Sequence, residues 1–388
     1  MKTSSVPSLT RACLLLGSSL LVMANAAIAP SLTEINHVFV DPFGVSLLMT
    51  FPAIAVIGFA PFVSRIIDRL GEKKSLMLGL GFYGVAGSSG LWLDSLAALL
   101  VGRVIFGASI VICMTVINQL ISDYFSGQER VHFISQQAIA VNLGGIAFVV
   151  ASGWLASLHW RLPFTIYLIA LLTLALSLKG IPPSKKVCTQ FRPKLGWLGF
   201  RPVLPFYLLG CVGMLSYYLV LLGLPYLLKT SQSFNSSETG LAMGAMSLLS
   251  AFVAYFFRHG VINYGEKLVM ALCFVCFTTS FWALSQTQYD WRAYIVLVST
   301  GIGFGLLLPV LTHLVIQTSI PAQRASVLSG FVMFYFLGHA LSAFVLDLQN
   351  LFGTERFFLL LGSLIGVVSL LCVKFVPDLR DKVAEEVA

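Results

Sequence analysis

Twelve apolar runs, each about 20 residues long and so able to cross a bilayer, take up most of this chain. They centre near Leu20, Ile54, Tyr83, Ile112, Ala147 and Leu171, then near Leu215, Leu249, Phe277, Gly305, Phe336 and Gly366. Short loops between them hold most of the charge. Lipid offers no partners to backbone polar groups, so each run must satisfy its own and is predicted helical. Composition agrees: 57% of residues are hydrophobic and 10% charged, against roughly 25% charged in soluble domains. The expected fold is an all-α membrane protein with twelve transmembrane helices.

The second half echoes the first. Arg69–Lys74 reads RLGEKK and Asn263–Leu268 reads NYGEKL, an offset of 194 residues in a chain of 388. Arg130 in SGQERVHF and Arg324 in IPAQRASVL keep the same offset. Matching charged loops between apolar runs point to a transporter built from repeats. Two pseudo-symmetric six-helix bundles are therefore expected, over 1–181 and 202–388, the second with a short cytoplasmic tail. A basic linker over 182–201, with Lys185, Lys186, Arg192, Lys194 and Arg201, joins them.

Charge placement sets the orientation. With both termini in the cytoplasm, 19 of the 24 Lys and Arg residues lie inside and four outside, leaving Arg103 within a helix. That asymmetry favours cytoplasmic termini in a multi-pass protein of the plasma membrane, the inner membrane of a bacterium. The net charge of +8 is dispersed over short loops, so nucleic acid is not an expected partner. Lys2, Arg11 and the small residues of Ala24–Ala29 imitate a signal peptide. The run continues to about Ile28 among many similar ones, and is read as an uncleaved first helix. Six of the seven cysteines lie in apolar runs. Cys273 and Cys276 have no second pair or histidines nearby, so no metal site is expected.

Three motifs resemble those of the major facilitator superfamily. That family places G-x-L-A-D-R-x-G-R-K between helices two and three. Here Ser64–Lys73 keeps Asp68, Arg69, Gly71 and Lys73, while Ser64 replaces the first glycine and Glu72 a basic residue. Arg103-Val-Ile-Phe-Gly107 looks like the family's helix-four motif, and His159-Trp160-Arg161-Leu162-Pro163-Phe164 is similar to its WR-x-x-F at the start of helix six. The resemblance covers essentially the whole chain. It implies alternating access, with Asp68, Arg69, Gly71 and Lys73 latching the cytoplasmic side in the outward-open state. The lysines equally satisfy the positive-inside rule. The family's antiporters carry G-P-x-x-G-G in helix five; the slots Phe148–Gly153 retain only Gly153, which weakens an export reading without excluding it.

Arg103 is the charge that most needs an explanation. An arginine within a membrane helix costs about 3 kcal/mol on insertion scales unless paired or hydrated, and by default marks function. The expectation is a role in gating or proton coupling, with loss of transport at unchanged protein level in Arg103→Ala; the alternative is snorkelling to the outer surface. Carboxylates are scarce in the apolar runs. Glu34, near an outer helix end, and His313 and His339, whose imidazoles titrate near neutral pH, complete the coupling candidates. The histidines are weighed as a pair facing one cavity, against the plainer reading of neutral interior histidines.

A transporter's site is expected near mid-membrane between the halves. Polar residues in the runs supply its candidates: Asn25, Thr115, Asn118, Gln119, Asn142, Tyr217, Thr312 and Tyr335. The leading expectation is proton-coupled efflux of a small organic, drug-like or amphipathic solute by a monomer in the lipid bilayer. It would use the proton gradient and no cofactor. Proton-coupled uptake of a metabolite is the alternative. From another class, a receptor or membrane-embedded enzyme remains open, although no catalytic constellation or Walker sequence stands out, and no enzymatic activity is expected.

Overall fold

The computed structural model describes residues 6–181, 201–286, 290–320 and 323–376. Among them every regular element is helical. Eleven helices are long and apolar enough to cross a membrane. In chain order these and one shorter helix are α1 (Ser8–Phe39), α2 (Pro42–Leu70), α3 (Glu72–Gly87), α4 (Leu96–Tyr124), α5 (Gly127–Leu158) and α6 (Leu162–Gly180). There follow α7 (Leu204–Gln232), α8 (Ser236–Tyr264), α9 (Glu266–Ser285), α10 (Arg292–Thr318), α11 (Arg324–Asp347) and α12 (Thr354–Phe375). The short one, α3, continues as a 3-10 turn over Ser88–Leu91. Sixteen α-helical and four 3-10 residues rise about 32 Å, which matches a hydrocarbon core of about 30 Å. All twelve predicted segments are accounted for.

Local chemistry places the helix ends. Asp41 accepts a hydrogen bond from the Gly44 amide at 2.9 Å with Pro42 at the first helical position, so α2 starts on a capped, pre-formed turn. It ends at Gly71, whose φ of 79° is open to glycine and strained for other residues. Gly265 closes α8 with the same φ and ψ, 79° and 161°. The half-length echo is thus a repeated backbone reversal. Helix packing repeats as well: α1–α5, α3–α4 and α3–α6 recur as α7–α11, α9–α10 and α9–α12.

Two compact units result. One is Met1–Gln190 with Asn235–Gly244; the other is Phe191–Phe234 with Ala245–Ala388. The start of α8 therefore clusters with the first unit. The linker expected over 182–201 lies outside the described residues except for Arg201.

Candidate functional site

The Gly-Glu-Lys loops hold a feature that charge patterning hides. Glu72 and Glu266 open α3 and α9, and they are only 5% and 0% exposed. Each occupies a first helical turn, where the macrodipole favours a carboxylate. Sequence reasoning took Glu72 for a loop residue that departs from a basic motif position. Its recurrence at the same offset, beside a run of buried residues, was the available signal.

The remaining motif residues divide. Lys73 donates to the Leu178 carbonyl at 2.8 Å, so its cation sits on the C-terminal end of α6 within the same unit. Arg130 does likewise for α4, reaching the Phe125 and Ser122 carbonyls at 3.0 and 2.5 Å. Asp68 and Arg69 are exposed at the end of α2 and form no ion pair among the described residues.

Arg103 neither snorkels nor finds a carboxylate among the described residues. It is 1% exposed and fully enclosed in the first unit. Its guanidinium carbon lies 5.1, 5.3 and 5.0 Å from the ring centres of Phe106, Phe164 and Tyr167. It also donates to the Tyr167 hydroxyl at 3.2 Å, which in turn donates to the Ala24 carbonyl at 2.8 Å. A cation met by ring faces ties α4, α6 and α1 together. The structure supports a packing role here in place of the snorkelling alternative.

The histidines do not pair, contrary to the expectation of a shared cavity. His339 is buried and stacks on Tyr218, ring centres 3.5 Å apart. His313 lies 3.3 Å from the Glu266 carboxylate, Nε2 to Oε1. Both α10's end and α11's start lie at the Gly265 end of the unit, and counting about 1.5 Å per residue from there separates the two levels by about 15 Å. Both sit in apolar runs, and run membership carries no depth.

Around His339 the second unit builds an aromatic surface. Tyr217 stacks on Phe304 with ring centres 3.8 Å apart, and Tyr218 meets Tyr217 edge-on at 5.3 Å. Tyr335, edge-on to Phe336 at 5.4 Å, is half-buried on α11. Phe304 was not a candidate: one phenylalanine among thirty in apolar runs carries no mark of its own. In the first unit Asn118 and Asn142 are exposed, while Thr115, Gln119 and Asn25 are half-buried. Thr115 and Asn142 bond carbonyls one turn back, at 2.8 and 2.9 Å. Glu34 accepts from the Ser236 hydroxyl at 3.3 Å. Thr312 is half-buried beside His313 on α10.

Comparison with known proteins decides the family. The sequence profile of the Major Facilitator Superfamily matches residues 14–343. The chain belongs to that superfamily. It is a multi-pass membrane transporter and not an enzyme. Among curated relatives, the bacillibactin exporter of Bacillus subtilis is 25% identical over 94% of this chain and 96% of its own length. The class B tetracycline resistance protein of Escherichia coli is 26% identical over 73% of both chains. The quinolone resistance protein NorA of Staphylococcus aureus is 23% identical over 69% of this chain and 71% of its own. Among solved structures, a D-xylose-proton symporter superposes with a TM-score of 0.77 at 18% identity, over 95% of this chain and 97% of that one. The nucleoside transporter NupG gives 0.74 at 14%, over 94% and 98%.

Proposed function

We propose that this superfamily member exports a small organic, drug-like or amphipathic solute across the plasma membrane, driven by proton inflow. The observation that carries the direction is the similarity to an exporter along nearly the full length of both chains, joined by two resistance proteins. The Tyr217–Phe304 stack, with Tyr218 edge-on to it, favours a solute with apolar, aromatic surface, since sites for small organic ligands are commonly lined by aromatic side chains with few polar groups. Lysine and arginine placement favours a cytoplasmic position for both termini and for the Gly71 and Gly265 loops. The proposed bundles over 1–181 and 202–388, joined by the 182–201 linker, alternate access as a monomer, in a bacterial inner membrane. The energy comes from the proton gradient without a cofactor.

A solute panel tests the reading. The full chain in proteoliposomes with an imposed pH gradient is expected to give saturable flux for a subset of apolar aromatic compounds, absent from protein-free vesicles. Flux confined to sugars or nucleosides would overturn the substrate class. No flux for any compound of the panel would overturn the export reading.

A further inference from the structure

The pseudo-repeat supplies its own control for Glu266. Both halves reverse at a glycine with φ of 79° and ψ of 161°, and both bury the next glutamate. The residue 194 positions after Gln119 is His313. Only the second unit therefore sets an imidazole at this position, against the buried acid on a neighbouring helix.

We propose that Glu266 and His313 form the proton-carrying pair of this transporter, which discharges its proton to the cytoplasmic face; this rests on the proton-coupled reading above. The His313 side chain is 25% exposed and that of Glu266 0%, so the imidazole reaches the surface of the unit and the carboxylate does not. An imidazole changes charge within the physiological pH range. When it holds a proton, a carboxylate at the start of α9 and a cation near the end of α10 each meet the favourable pole of a helix dipole and close the pair. When the proton leaves, the attraction between α9 and α10 at this end is lost. One proton is taken up and one released, and no bond other than N–H changes.

Neighbouring helices bring further polar, charged and aromatic groups to the same end of the unit. Phe257 of α8 covers the imidazole at 6.3 Å between ring centres; the side chains of Arg258 and His259 beyond it lie outside the described residues. Lys374 of α12 is exposed, its ammonium over its own neighbour Phe375 at 5.3 Å. Tyr207 of α7 donates to the Val327 carbonyl, and Arg324 of α11 is exposed. Lys267 follows Glu266 directly. Cys273 donates to the Gly303 carbonyl two turns deeper.

The test uses the full chain reconstituted with ethidium as probe, or with the best compound of the panel. His313→Gln installs the residue found at the equivalent first-half position, and Glu266→Gln is isosteric. Each is expected to lower gradient-driven accumulation at least tenfold, while exchange of labelled for unlabelled solute at equal pH stays within about twofold of wild type. A role in packing alone would depress both together, and that result overturns the proposal. Without substrate, infrared difference spectra of the solubilised protein between about pH 5.5 and about pH 8 should lose imidazole and carboxyl bands in the matching variant. Unchanged spectra overturn it too. If the wild type shows no gradient-driven flux, the proton-coupled reading fails; if it does and His313→Gln keeps that flux, this assignment alone fails.

Discussion

Replacing Arg103 with alanine is expected to lower the amount of folded protein in the membrane, and not transport alone. Burying a guanidinium inside a membrane helix costs about 3 kcal/mol. Here three ring faces within 5.3 Å oppose that cost, each worth up to about 2 kcal/mol when desolvated. One terminal nitrogen has no hydrogen-bond acceptor among the described residues, so the rings carry the compensation. Alanine removes the cation and also empties the space among Phe106, Phe164 and Tyr167, and large-to-small changes in packed interiors cost about 2–5 kcal/mol. Methionine fills most of that space without a charge, and replacing buried charge with apolar volume is often neutral or stabilising. Thermal unfolding in detergent should therefore show Arg103→Ala destabilised by at least about 2 kcal/mol, with Arg103→Met recovering most of the loss. An Arg103→Ala protein that melts with the wild type would remove the packing account and return Arg103 to the coupling role its sequence position suggests.

Gly153→Leu is expected to abolish transport at near-normal protein level. Within the first unit this glycine meets the start of α8 backbone to backbone. A Cβ on Gly153 would lie 2.5 Å from the Ser236 carbonyl oxygen and 2.7 Å from the Gly240 Cα. A Cβ on Gly240 would lie 2.8 Å from the Gly153 Cα. Backbone cannot rotate out of the way as a side chain can, so any larger residue forces the crossing apart; small residues are what allow such approach in membranes. The α1–α5 and α3–α4 pairings elsewhere in the unit are left in place, which keeps the chain folded. Flux should fall at least tenfold in Gly153→Leu and by less in Gly153→Ala. Gly58 is the matched control, having nothing within 4 Å of its Cβ position, and Gly58→Ala should transport as wild type does. Normal flux in Gly153→Leu would show that this crossing is not needed in the cycle.

Segment positions were legible because a bilayer imposes one length on every run. Tyr83 and Gly305, predicted centres, fall in the middle of α3 with its 3-10 turn and of α10. The echo of Gly71 in Gly265 was legible as a repeat, and the structure turned it into one shared backbone conformation. Direction and depth were not legible. Glu72 and Glu266 read as loop charges because the sequence does not show which way a first helical turn points. His313 and His339 read as equivalent because both lie in apolar runs, yet one meets an acid near a helix end and the other a tyrosine ring deep in the unit. The cage of Arg103 is assembled partly from α6, about sixty residues further along the chain, and no local pattern announces it.

The central claim, export of an organic solute against proton inflow, is tested most directly by the sign of the driving gradient. The full chain is reconstituted in vesicles, and accumulation of permanently charged ethidium, which cannot be trapped by protonation, is followed with the lumen made acidic and then alkaline. An exchanger must concentrate the probe inside the acidic lumen, because protons leaving the vesicle drive it inward, and protein-free vesicles should show no accumulation. Accumulation only in the alkaline lumen would mean that proton and solute travel together, and would contradict the account.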